Sequence, residues 1–276
     1  MITDSLYQEA LEKILNEGQV ILTRNAWCRT HVELDQIIFS STPLVTLRKT
    51  AWKMAIQEME WFMSGDPQCP PHLLPWWKHQ LNKEGCYLSG YSEQFRYATG
   101  DFVHDFDQIR FILDGLRFHA NSRRLLMTAW NPFDMANITK KNDNQETPAT
   151  CHSTLIQFSV MNEKLYMTCY QRSADMLLGV PHNWIQSWAL LLWFAHHAKL
   201  SAGTMRWLFG NAHVYCHETH QTTAESLLKL HVNSNEENTF TLRYQPKNDN
   251  EVFLAKDFIM EGVVPEPSIL LRPVLL

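Results

Sequence analysis

Two hydrophobic periods alternate along the chain, and their order predicts its elements. The opening stretch MITDSLYQEALEKIL repeats its apolar positions at helical spacing, and Gly18 marks the expected stop. VELDQIIFS, from Val32, alternates like a strand, and AWKMAIQEMEWFM, from Ala51 to Met63, returns to the helical period. A Pro-rich loop, PQCPPHLLPWW, leads to Trp76 and Trp77. DFDQIRFILDGLRFHA predicts a further helix, and RRLLMTAW a buried strand. Residues 132–150 are polar and read as a surface excursion. STLIQFSV and LYMTCYQRS flank the turn MNEK as a hairpin would. The strongly apolar NWIQSWALLLWFAHHAKL then predicts a buried helix, TMRWLFGNAHVY one more strand, and HETHQTTAESLLKL a surface helix. This order predicts an α+β fold with a mixed, largely buried β-sheet flanked by helices.

Composition narrows the class. With 276 residues, 45% hydrophobic and 19% charged, the chain can bury a large core. No repeat or Gly/Ser/Pro-rich linker divides it, so residues 1–276 are expected to form a single domain. A net charge of −5, from 24 basic and 29 acidic side chains, argues against a general nucleic-acid binder. No apolar run is long enough to span a bilayer and the first residues do not resemble a signal peptide, so the expected location is the cytoplasm, a host's if the source is viral. The six cysteines lack CxxC pairing and read as free thiols.

Several polar residues stand out against this apolar background. On α-helical geometry of about 100° per residue, Lys53, Gln57, Glu60 and Ser64 share a polar arc, which predicts a solvated Glu60. Glu58 falls among Ala51, Met54, Ala55, Met59 and Phe62. A carboxylate there is either paired with an arginine or held at a raised pKa as a general acid/base. Cys151 sits where the polar excursion meets a strand; it is either a small buried hydrophobe or a thiolate activated by a cation such as Arg172. His152 points to the other strand face and is a poor base for it. Arg172 with Ser173, and Arg123 with Arg124, suit an oxyanion such as phosphate. Asn183 can offer a donor and an acceptor to one base edge. His213 and Tyr215 share one strand face. Cys216, His217 and His220 lack a second ligand pair, so no metal is expected.

In combination these residues resemble the thymidylate synthase family along nearly the whole chain. The similarity is carried by PLVT at 43–46, QEMEWFMSGD at 57–66, SRR and AW within 122–130, CH and QF from 151, YQRSADMLLGVPHN at 170–183, GNAHVY at 210–215, and the tail PEPSILLRPVLL. The resemblance implies that the Cys151 thiolate adds to C6 of a deoxypyrimidine monophosphate, expected to be dUMP, so that C5 attacks the one-carbon unit of 5,10-methylenetetrahydrofolate. It further implies catalytic roles for Glu58, Tyr91 and Arg172, with Tyr91 helping to remove the C5 proton. Nucleotide contacts would come from Arg24, Arg123, Arg124, Ser173, Asn183, His213 and Tyr215, the Arg123/Arg124 pair reaching across a homodimer. Trp77, Asp175 and Gly179 would face the folate, and the tail would close over it.

The departures bear on the product. Asn211 stands where the family carries Asp in GDxHxY, YSEQFR replaces YGxQWR, and His182 replaces the Phe before the base-reading Asn, where polarity or an ordered water could enter the pocket. The long excursion before Cys151 and the ExEW pattern at Glu58 to Trp61 resemble the phage pyrimidine hydroxymethylases of the same superfamily, whereas the tail RPVLL is synthase-like. Asn183 favours uracil, since the related cytosine enzymes carry Asp there. The expectation is 5-hydroxymethyl-dUMP, with dTMP as the alternative product and a non-catalytic nucleotide- or partner-binding protein as a further one.

Overall fold

The computed structural model describes residues 3–23, 25–88, 90–97, 106–132, 150, 152–232, 239–267 and 269. Its scaffold is a five-stranded sheet of β3 (Ile37–Phe39), β4 (Leu126–Thr128), β5 (Leu155–Met161), β6 (Lys164–Gln171) and β8 (Ser201–Phe209), in the order β3-β8-β6-β5-β4. β5 and β6 form the expected hairpin, paired from Leu155–Tyr170 to Met161–Lys164. Its two-residue turn places Asn162 at φ 51° and Glu163 at φ 58°, the left-handed pair that matches the twist of adjoining strands. β6 and β8 run parallel, so the chain must cross over between them.

The crossover carries α6 (Val180–His197), which covers the inner face of the sheet. Ile156, Phe158, Leu165, Met167, Cys169, Met205 and Trp207 project from that face and are buried. Phe158 meets Phe194 of α6 with ring centroids 4.8 Å apart. Truncating a buried aromatic of this kind costs about 3–5 kcal/mol. α2 (Trp52–Ser64) packs against α6 and ends at Gly65, whose φ of 80° supplies the left-handed cap. Around this core lie α1 (Thr3–Glu17), α3 (Leu74–Trp77), α4 (Tyr91–Tyr97), α5 (Gln108–Phe118) and α7 (Glu218–Leu228). α5 begins at Asp107, whose carboxylate accepts from the amides of Ile109 and Arg110.

Two smaller sheets complete the mixed α+β architecture. One joins β1 (Gln19–Leu22), β2 (Trp27–His31), β9 (Ala212–Tyr215) and β7 (Ala174–Asp175) in the order β1-β2-β9-β7; the other pairs β10 (Phe240–Tyr244) with β11 (Phe258–Gly262). No helix among the described residues is long and apolar enough to cross a membrane.

The single strand expected over TMRWLFGNAHVY is two strands in different sheets, broken at Gly210 and Asn211. A Cβ on Gly210 would collide with the Tyr170 phenol and the Arg172 carbonyl, so only glycine lets the chain pass from one sheet to the other there. The strand expected from Val32 is confined to β3, because only Ile37–Phe39 find partners on β8. β1 and β2 have no counterpart in the sequence reading: all four residues of β1 are exposed, so no inside/outside alternation announces it. RRLLMTAW forms only an edge strand with Leu126 exposed, and the Pro-rich loop contains a 3-10 turn at Pro71–Leu73 followed by α3. The polar excursion lies outside the described residues over 133–149.

Candidate active site

The site grows from the contact of α2 with the N-terminal half of α6. Glu58 is buried there, as its helical position requires, but its partners are neutral. The Trp77 indole N–H donates to its Oε1 at 2.6 Å and the Gln186 amide to its Oε2 at 3.1 Å. Burial outweighs these two bonds and pushes the Glu58 pKa up to about 7. No arginine pairs with it among the described residues, and the carboxyl is poised to hold or release a proton near neutrality. Glu60, expected to be solvated, instead accepts the backbone N–H of Ala255 at 2.7 Å.

Glu58 ends a directional chain of hydrogen bonds through the core. The Trp207 indole donates to Gln171 Oε1 at 3.1 Å, Gln171 Nε2 to Asn183 Oδ1 at 3.1 Å, and Asn183 Nδ2 to Gln186 Oε1 at 3.0 Å. Gln186 then donates to Glu58. Because an indole can only donate, the Trp207 end sets the orientation of all three amides that follow it. Asn183 keeps one N–H and one oxygen lone pair beyond this chain, in a set order. Gln171 and Gln186 were missed in the sequence; a glutamine one turn beyond Asn183 on an otherwise apolar helix was the available signal, since buried amides require partners.

Cys151 and Arg24 lie outside the described residues. Both chain neighbours of Cys151 are placed. Arg172 Nε donates to the carbonyl of Thr150 at 3.3 Å, with its guanidinium 5.1 Å from the Trp130 ring centroid. The backbone N–H of His152 donates to the Tyr91 hydroxyl at 3.1 Å, and the two rings stack at 4.4 Å. Phe62 of α2 stacks on the other side of Tyr91 at 4.5 Å. Arg172 and Tyr91 thus bind the backbone of the residues on either side of Cys151 in the sequence. Burial drives the His152 pKa down to about 3, so this imidazole is a neutral packing group, in line with its dismissal as a base. Ser153, two residues past the cysteine, adopts φ 47°, a strained backbone of the kind that clusters at functional sites.

His213 and Tyr215 do meet on β9, ring to ring at 5.2 Å. Asn211 accepts from Thr30 Oγ1 at 2.6 Å and lies 3.3 Å from His213 Nδ1. A neutral amide oxygen there holds the proton on Nδ1 and leaves Nε2 as an acceptor. Burial lowers the His213 pKa, which keeps the ring neutral. Ser173 is half-buried at the end of β6 beside Arg172. Asp175 Oδ1 accepts from the amides of Leu177 and Leu178 at 2.9 and 3.0 Å, shaping the turn into α6. Gly179 closes that turn: its carbonyl accepts the amides of His182 and Asn183, and a Cβ there would lie 3.2 Å from Asn183 Oδ1. Trp77 is buried inward on Glu58, while Trp76 is the half-buried ring of the pair.

His182 does not act as the polar opening expected. Its Nε2 accepts the Ala51 N–H at 3.2 Å and its Nδ1 donates to the Leu178 carbonyl at 2.8 Å. Burial, with Arg48 nearby, holds its pKa down to about 4. Both ring nitrogens serve the backbone and tie the start of α2 to the start of α6, which leaves neither for a water. Arg123 and Arg124 are exposed ahead of β4, and their side chains have no partner among the described residues.

A comparison with known families agrees with this geometry: the family model for thymidylate synthase matches residues 5–274 of the chain. The protein belongs to the thymidylate synthase family, whose members are folate-dependent one-carbon transferases acting at C5 of dUMP.

Proposed function

We propose that this chain converts dUMP to 5-hydroxymethyl-dUMP, using 5,10-methylenetetrahydrofolate and water and releasing tetrahydrofolate. The observation that carries the reading is the buried Glu58 with a pKa of about 7, which can pass a proton to and from a water at the exocyclic carbon. Cys151 adds to C6, and C5 takes the one-carbon unit that the folate supplies. Tyr91 relays the C5 proton, and departure of the folate amine leaves an exocyclic methylene. Glu58 then deprotonates a water that adds to that methylene, and the Cys151 sulfur leaves as the C5–C6 double bond returns. Water enters where a synthase would deliver hydride.

The fixed order of donor and acceptor on Asn183 supports a single base type. Uracil pairs an N3–H donor with an O4 acceptor, while cytosine presents the reverse order. In one binding pose a locked amide cannot serve both, and the family resemblance assigns it to uracil. The phosphate would meet Arg172, Ser173 and Arg24, and the sugar His213 and Tyr215.

The folate fits an observation at the other side of the site. Arg48 is buried, with Nε and Nη1 lacking partners among the described residues, close enough to Asp175 to feel its charge and to help hold His182 neutral. A carboxylate of the folate's glutamate end would satisfy it. Trp76, Trp77, Asp175 and Gly179 would line the ring end.

A homodimer is supported by the outer face of the five-stranded sheet. Ile38, Leu126, Leu155 and Tyr170 project from it and are 38–48% exposed. Arg123 and Arg124 precede β4 at its edge, free to reach a partner's phosphate site. A second reading, thymidylate synthase, is favoured by the synthase-like tail from Arg272.

Incubation with dUMP and methylenetetrahydrofolate separates the two. The proposal expects a nucleotide heavier by CH2O, by mass spectrometry, with no rise in dihydrofolate absorbance. Stoichiometric dihydrofolate would establish the synthase instead. Cys151→Ala should abolish either product, whereas unchanged biological activity would favour the non-catalytic alternative.

A further inference from the structure

The C-terminal end of α6 carries a second cluster of ligating groups, far from Asn183. Fourteen residues separate Asn183 from His197 on this helix, about 21 Å at 1.5 Å per residue. His196 Nε2 lies 3.4 Å from Asp249 Oδ1, and His197 Nδ1 lies 3.5 Å from the same oxygen. Bonds of about 2.0–2.1 Å in a tetrahedral shell set ligand atoms about 3.4 Å apart. Two edges already have that length, and all three atoms lie within 4.8 Å of one another. The His196 and Asp249 side chains are 41% and 83% exposed, so the remaining edge can close by side-chain rotation.

The surroundings favour a cation at this point. Tyr244 Oη lies 3.1 Å from His197 Nε2, on the ring edge away from Asp249. The phenol can accept a proton carried on Nε2, the tautomer that frees the Nδ1 lone pair to bind an ion beside Asp249. The terminal carbonyls of α6 add partial negative charge. Of the other charged groups here, Glu251 engages both Arg110 and Arg117, and Arg117 also donates to the His197 carbonyl at 2.9 Å. Arg110 also pairs with Asp114 at 2.8 Å, so two carboxylates balance the two arginines.

We propose that His196, His197 and Asp249 bind one divalent transition-metal ion of the zinc, cobalt or nickel class. Two imidazoles and one carboxylate suit these borderline ions better than magnesium or calcium, and water would complete the shell. The ion fastens the segment around Asp249 to α6. That segment continues to Phe253, which faces Trp193 of α6, and to Ala255, which binds Glu60 of α2. The role is structural, not catalytic.

The test is titration of the metal-stripped full chain with Co2+, read by visible absorbance, with Zn2+ as competitor and in thermal melts. One equivalent should bind, with nitrogen/oxygen d–d bands and no thiolate charge-transfer band, and Zn2+ should raise the Tm. His196→Gln and Asp249→Asn alter exposed side chains and should retain the fold by circular dichroism while losing more than about tenfold in affinity. Tyr244→Phe removes the outer hydrogen bond and should weaken binding about tenfold. No binding at millimolar Co2+, wild-type affinity in both exposed-site variants, or a thiolate band removed by Cys216→Ser would each overturn the proposal.

Discussion

The two ends of α6 handle polarity in opposite ways. At the N-terminal end, Asn183 and Gln186 are buried and joined by neutral hydrogen bonds to Gln171, Trp207, Trp77 and Glu58. At the C-terminal end, Arg110 and Glu251 meet at the surface as an ionic pair, and His196 lies 3.4 Å from Asp249. A buried neutral network has a direction, because each amide's orientation is set by its neighbour, so one change is felt along its length. Exposed ionic pairs are screened by water and change nearly independently. The first end can discriminate a substrate; the second can hold an ion or tolerate substitution.

Four measurements break or sharpen this contrast. Asn183→Asp replaces the donor of the locked amide by an acceptor at its centre, and we expect dUMP turnover to fall by about 10²–10⁴-fold with a gain of activity on dCMP. Steady-state kinetics on both nucleotides checks this; unchanged dUMP kinetics would refute the base-reading role.

Next in size is the pH dependence from Glu58. Its folded pKa of about 7 lies above the ordinary glutamate value of 4.5. Below 4.5 the group is protonated in both states and costs nothing. Between 4.5 and 7 the unfolded chain has lost the proton while the folded chain keeps it, so stability falls as pH rises and levels off above 7. The loss is roughly 3 kcal/mol for a shift of this size. Buried neutral His152 and His182 add a rise with pH in both proteins, so the Glu58 contribution is read as the difference: urea denaturation should show the wild type losing stability relative to Glu58→Gln as pH rises through that range.

Gln171→Met removes a link from the middle of the chain and leaves the Trp207 N–H and Asn183 Oδ1 without their partner. A destabilisation of about 2 kcal/mol is expected by the same assay. At the surface end, Arg110→Ala should shift stability by less than about 1 kcal/mol. A shift as large as that of Gln171→Met would erase the distinction between the two ends.

Much of this molecule was legible in its residue order. The periods of Ala51–Met63, of the β5–β6 hairpin and of α6 are local properties: side chains two or about 3.6 positions apart share a face whatever the rest of the chain does. The same arithmetic placed Glu58 on a buried face and so flagged it as chemistry. The motifs around Arg172, Asn183, His213 and Tyr215 named their family before any coordinate was known.

The tertiary structure decided what depends on partners remote in sequence. Nothing local announces that Glu58 will meet Trp77 and Gln186, 19 and 128 positions away, in place of an arginine. Nor does residue order show that His182 will lend both nitrogens to the backbone, or that a clash at Gly210 will break one predicted strand into two. Periodicity records which side of an element faces inward. Which groups wait on that inner side, and so whether a buried polar atom is paired, oriented or free to react, is settled only when distant elements pack.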